Sequence, residues 1–123
     1  MAIFLSLQFP MAFAGPAEIA REALSMQSVW FDRTSGALTI IASDGGSVSK
    51  NQLAFAIVLG YCDSILGDYP EMNAVKTVKV VNRAETHGYV FFGGAKACED
   101  MDPELDDEAL GDAILAHTSS YRG

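Results

Sequence analysis

The pattern of hydrophobic and polar positions changes period several times along the chain, so it predicts short helices and strands in turn. Near the N-terminus, Ile19, Ala23 and Met26 recur at helical spacing after a proline suited to a first turn, which predicts a short helix. The next stretch is rich in β-branched and aromatic residues on either side of a Thr-Ser-Gly turn. It predicts a β-hairpin with strands over residues 28–33 and 37–43.

A nearly continuous apolar run, Leu53 to Cys62, predicts a helix at the centre of the core. Ser49 and Gln52 have the spacing of a capping box, so we expect the helix to begin at Ser49 and to run to about Leu66. Because its apolar residues lie almost all the way round, we expect it to be buried on several sides.

A second hairpin is expected in the following stretch. Residues 75–82 predict a strand with Val78 and Val80 on one face, and residues 89–92 predict the returning strand after a turn over 83–88. Cys98 falls in a short turn or helix.

A last helix is expected from Asp102-Pro103-Glu104 to about His117, with an inward face of Leu105, Ala109, Leu110, Ala113 and Ile114. The resulting order is α-ββ-α-ββ-α. Strands paired as hairpins, with helices packed on one side of them, predict a small single-domain α+β fold with a central buried helix.

The first fourteen residues are uncharged and mostly apolar, and Ala12-Phe13-Ala14 has the small-x-small form of a signal-peptide cleavage site. We therefore expect residues 1–14 to be a signal peptide and residues 15–123 to form one domain. No basic residue precedes the apolar run, so an ordinary N-terminal strand stays open as the alternative. No other apolar run approaches the ~20 residues that a membrane-spanning helix needs.

Composition narrows the classes of function. Half of the residues are apolar and a fifth are charged, which excludes intrinsic disorder. Sixteen acidic residues against eight basic ones give a net charge of −8. A chain this acidic repels phosphates, so we expect no nucleic-acid partner.

The two cysteines, Cys62 and Cys98, fit export, because an even count in an oxidising compartment predicts a disulfide. Two alternatives stay open. Both cysteines can be buried free thiols in a cytosolic protein, or one of them can pair with His87 as a thiolate–imidazole nucleophile. A disulfide between them would exclude the nucleophile.

Half of all the acidic residues lie between positions 99 and 112. Their alternation is similar to a calcium-binding EF-hand loop, but Leu105 and Gly111 stand where that loop needs glycine and glutamate. One interpretation is a helix N-terminus whose carboxylates favour the positive end of the helix dipole. An acidic docking face for a basic partner is compatible with it. The predicted partner-binding residues are Glu99, Asp100, Asp102, Glu104, Asp106, Asp107 and Glu108, with Asp112 beside them.

Other catalytic arrangements have little support. Asp32, Asp63 and Glu85 are candidate acids, but no spacing singles out a pair; Asp63, at the end of an apolar run, is the one expected to be partly buried. The loop over residues 44–47 lacks the spacing of a phosphate-binding loop. We therefore predict no catalytic residue, no metal site and no cofactor.

The segment FAIVLGYCDSILGDY, residues 55–69, resembles the Gly-Tyr-bearing, cysteine-containing helix of the Tai/Rap-type amidase-immunity proteins of type VI secretion. Cys98, Pro103 and the helix that follows fit the later cysteine, proline and helix of that family. The resemblance implies a small exported domain that blocks a toxin delivered into the periplasm. It also implies a mostly helical fold, which is the alternative to α+β.

Together these features predict a small exported, disulfide-containing acidic binding module, periplasmic or secreted. Its most concrete form is an immunity or inhibitor-type protein that acts on a basic protein partner and is not itself an enzyme. The alternatives are a small Cys/His hydrolase and a structural envelope protein without a ligand.

Overall fold

The computed structural model describes residues 15–25, 28–67, 69–101 and 104–123. The fold is α+β, as predicted, in a small single domain with a five-stranded mixed sheet. The expected signal peptide and the expected inward position of Met26 lie outside the described residues. The elements are helix α1 (Pro16–Leu24), strands β1 (Val29–Asp32) and β2 (Ala37–Ser43), helix α2 (Lys50–Ile57), a π-helical turn (Val58–Cys62), helix α3 (Asp63–Ile65), a 3-10 turn (Pro70–Ala74), strands β3 (Thr77–Asn82) and β4 (His87–Phe91), helices α4 (Gly94–Glu99) and α5 (Asp107–Leu115), and strand β5 (Thr118–Arg122).

The two predicted hairpins are present and share one sheet of order β1-β2-β3-β4-β5. Strand β1 is antiparallel to β2, and β3 is antiparallel to β4. Strands β2 and β3 are parallel, with Ile40 opposite Val80. A parallel pair needs a long crossover connection, and helix α2 with its continuation supplies it.

Side chains alternate between the two faces of the sheet, and the helices pack on one of these faces. On the covered face Leu38, Ile40, Val78, Val80 and Phe91 are almost completely excluded from solvent and belong to the main core cluster. The core thus lies between the sheet and the helix over residues 50–65, which we call the central helix.

The capping box at the start of the central helix is confirmed. The hydroxyl of Ser49 accepts from the backbone N–H of Gln52 at 3.1 Å, and the Gln52 side chain accepts from the Ser49 N–H at 2.8 Å. Leu53, Ile57 and Tyr61 are fully buried.

The central helix is buried on several sides, as expected, but one side is left partly exposed. Phe55 is 48% exposed. Helix α5 contacts α2, and α1 packs against the π-helical turn, but these two helices leave part of the Phe55 side chain uncovered. On α1 itself Ala23 is exposed, and Ala20 and Leu24 face the core instead.

The C-terminal region differs most from the sequence-based expectation. Helix α5 begins later than expected, because Asp106 is its N-cap and accepts from the N–H of Ala109 at 2.8 Å. The chain then forms a fifth strand that was not predicted. Strand β5 is mostly polar, and it forms by pairing with the outer edge of β4, where Thr118 lies opposite Phe91.

Gly88, in β4, provides a test of the sheet register. Its φ is 157°, and a Cβ added there would lie 2.1 Å from the carbonyl oxygen of Val80 on the neighbouring strand. Since backbone cannot yield cheaply in the middle of a sheet, we expect Gly88→Ala to lower the free energy of unfolding by about 3 kcal/mol. Urea denaturation measures this loss. The matched control is Gly46→Ala, because an added Cβ there meets nothing within 4 Å; equal losses in the two variants would contradict the register.

Candidate functional site

The two cysteines meet in the structure. Cys62 is the last residue of the π-helical turn and Cys98 lies in α4, and their sulfur atoms are 2.11 Å apart. Both side chains are buried. The bond therefore ties the central helix to α4, and it leaves neither sulfur available as a thiolate.

The histidines lie in different surroundings from each other. His87 was expected in a turn; it is the exposed first residue of β4, and its Nδ1 lies 3.1 Å from the hydroxyl of Thr86. His117 follows α5, and its ring packs against Phe91 with ring centroids 6.2 Å apart. Within the described part of the chain, neither imidazole makes a polar contact with a carboxylate or a sulfur atom that could complete a nucleophilic pair.

The acidic segment is divided between two helices. Glu99 and Asp100 lie at the end of α4, where Asp100 accepts from Lys96 at 3.0 Å. Asp106, Asp107 and Glu108 lie at the start of α5. Asp102 is outside the described residues.

Lysine side chains hold part of the acidic segment in place. Lys50, at the first turn of α2, bonds Asp112 at 2.9 Å and also bonds Glu108. These hydrogen bonds raise the pKa of Lys50 above its usual value. Two of the predicted partner-binding carboxylates therefore have structural roles: Asp106 caps α5, as the interpretation of a helix N-terminus expects, and Glu108 helps to attach α5 to α2.

An apolar groove lies beside these carboxylates, between the central helix and α5. Its volume is about 360 Å³. Phe55 stands in it with nearly half of its surface exposed, and Asp107 lies on its rim. The lining residues are Asn51, Ala54, Phe55, Val58, Leu59, Asp107 and Leu110. The site therefore combines apolar surface that can bind a partner with negative charge that can orient it.

Asp107 is among the partner-binding residues predicted from the sequence, but the groove is not predicted. The apolar residues of the central helix were all expected in the core. The amount of apolar surface on the helix could have predicted the groove. A helix that is apolar almost all the way round has more apolar surface than one sheet face and two short helices can cover.

The remaining candidate acids have local roles. Asp63 is exposed, not partly buried as expected, because it lies on the outer side of the central helix. Asp32 accepts from the N–H groups of Thr34 at 2.9 Å and Ser35 at 3.4 Å, which lowers the pKa of its carboxyl. It shapes the β1–β2 turn. Asp44, which was not among the candidate acids, lies in the loop over residues 44–47 and pairs with Arg83.

Within the described ranges, no three His, Cys, Asp or Glu side chains are grouped closely enough to hold a metal ion. None of the helices there has the length and apolar character needed to cross a membrane. Comparison of the chain with protein-family models, curated proteins and solved structures finds no match.

The disulfide is open to direct test. The two cysteines are 36 residues apart in the sequence. Closing a loop of that length stabilises a fold by about 4 kcal/mol on the chain-entropy estimate, so we expect the double variant Cys62→Ser/Cys98→Ser to lose about that much free energy of unfolding. Urea denaturation with and without a thiol reductant measures it. Reductant should destabilise the wild-type chain and leave the double variant unchanged. Alkylation before and after reduction, read by mass spectrometry, should find both thiols only after reduction; two thiols reactive beforehand would refute the bond.

The contacts of Lys50 predict a dependence of stability on pH. A folded-state pKa above the usual 10.5 means that the interaction stabilises the fold fully below 10.5 and is lost as pH rises through the raised value. We therefore expect Lys50→Met to be less stable than wild type at neutral pH, with the difference shrinking in the alkaline range. Urea denaturation across that range measures it. The control is Lys76→Met, because no salt bridge of Lys76 is found in the described residues; a similar shrinkage there would contradict the assignment.

Proposed function

We propose that this chain is an exported acidic binding module that captures a basic protein partner, as an immunity or inhibitor-type protein does. The observation that carries the proposal is the apolar groove beside the acidic start of α5, with Asp107 on its rim. Aromatic and aliphatic surface supplies binding energy when a partner covers it, and the surrounding charge selects which partner approaches.

The charge of the site supports a basic partner. The described part of the acidic segment holds seven carboxylates, and two lysines, Lys50 and Lys96, pair with three of them. An excess of negative charge therefore remains at this end of the molecule, on a chain whose net charge is −8. Such a field accelerates the encounter with positively charged proteins and repels nucleic acids.

Three features support export and an inhibitory role. Residues 1–14 have the composition of a signal peptide, and a disulfide is typical of proteins in oxidising compartments. The immunity assignment draws on the resemblance of residues 55–69 to the Tai/Rap-type helix. The five-stranded sheet differs from the helical fold that this resemblance implies, so the proposal rests on the surface more than on the resemblance.

The proposal predicts that binding depends on carboxylates that the fold does not need. Glu99 and Asp107 are exposed, and neither makes a salt bridge or a side-chain hydrogen bond within the described residues. We expect Glu99→Gln/Asp107→Asn to fold normally and to bind the partner at least fivefold more weakly, because electrostatic attraction is reduced. Exported proteins of the native compartment are captured on the immobilised chain at low and raised salt and identified by mass spectrometry.

The matched control is Glu71→Gln/Glu85→Gln, which removes the same charge outside the acidic segment. A basic protein that is retained by the wild type and the control, and lost with salt and with the Glu99/Asp107 variant, supports the proposal. Retention of no basic protein, or equal retention by both variants, overturns it.

A further inference from the structure

We propose that the groove between the central helix and α5 receives an amphipathic helix of the partner, with its apolar face on Phe55 and basic residues toward Asp107. This inference rests on the proposed function and specifies the part of the partner that docks.

The groove is apolar surface that the rest of the described chain leaves uncovered. Phe55 is 48% exposed, while Ala54, Val58, Leu59 and Leu110 are half-buried around it. Aromatic side chains are enriched at protein interfaces, so a half-exposed ring in an apolar groove is a suitable anchor point for a partner.

The apolar surface continues across the central helix. Leu59 lines this groove and also a second one on the opposite side, next to Ala23 and Tyr69. Glu22 and Asp63 lie on the rim of the second groove, as Asp107 does on the first. A single ridge, Phe55 to Leu59, is thus flanked by carboxylates on both sides. The residues of the central helix that line the first groove run from Asn51 to Leu59. At 1.5 Å per residue this is a track of about 12 Å, which matches about two turns of a partner helix.

Helical walls favour a helix over an extended strand as the occupant. A docked strand gains affinity from main-chain hydrogen bonds to a free sheet edge, and the walls of this groove are helices whose backbone groups bond within themselves. An amphipathic helix needs only apolar anchors at positions i, i+3, i+4 and i+7.

The carboxylates on the rims of the two grooves favour a partner helix that carries basic residues. Asp107, Glu22 and Asp63 are exposed, and no salt bridge of theirs is found in the described residues. Lysine or arginine residues flanking the apolar face of the partner helix would lie against them. The same charge repels an anionic lipid surface, so the groove favours a protein segment over a membrane.

The experiment uses the full disulfide-bonded chain and three labelled synthetic peptides of about 16 residues, read by fluorescence anisotropy. The first is a leucine–lysine amphipathic helix, the second has the same composition with its leucines dispersed, and the third carries glutamate in place of lysine. We expect only the first to bind measurably.

Phe55→Ser and Phe92→Ser form a matched pair of variants, because Phe92 is 46% exposed and does not line the groove. Since the two rings are exposed to nearly the same extent, the two variants should lower the unfolding midpoint by similar small amounts. Phe55→Ser should weaken binding of the first peptide about tenfold or more, and Phe92→Ser by less than about twofold.

Equal binding of the dispersed peptide, or equal effects of the two phenylalanine variants, would overturn the inference. If no peptide binds while a basic protein is still captured through Glu99 and Asp107, the helix inference fails and the proposed function stands. If no basic protein is captured either, both fail.

Discussion

The packing of the central helix against β2 and β3 is the contact on which the rest of the structure depends. These strands run parallel, and a parallel pair can form only when a long connection returns the chain to the same end of the sheet. The central helix is the main part of that connection, and Leu53, Ile57 and Tyr61 on its inner side are fully buried. Without it the molecule would be two separate hairpins, each too small to be stable alone.

The same helix also creates the surface proposed to bind a partner. One side of it faces the sheet, α1 and α5 flank it, and the side that carries Phe55 is left in solvent. A contiguous exposed apolar patch is typical of an interaction site, so the exposed surface around Phe55 supports the proposal that a partner binds on this side. The disulfide from Cys62 ties the C-terminal half of the helix to α4, which ends at Glu99, the first residue of the acidic segment.

The acidic segment combines a structural role with the proposed recognition role. Asp106 caps α5, and Glu108 and Asp112 attach it to Lys50, so these carboxylates are needed by the fold. Asp107 lies one residue from the cap but points to the groove rim. Neighbouring residues of one helical turn thus have different surroundings, and the proposal assigns recognition only to the one that lines the groove.

Local features were readable from the sequence. The capping box at Ser49 and Gln52, the two hairpins and the α+β class depend on residues a few positions apart. The strand predicted over 75–82 forms over Thr77–Asn82. The cysteine count indicated the bond between Cys62 and Cys98. Tertiary contacts decided the rest. Strand β5 exists because the edge of β4 is available, β2 and β3 are parallel because the central helix crosses over, and Phe55 and Asp63 face solvent because α1 and α5 flank the helix elsewhere. Periodicity records which residues share a face, but which face is covered depends on elements that are distant in the chain.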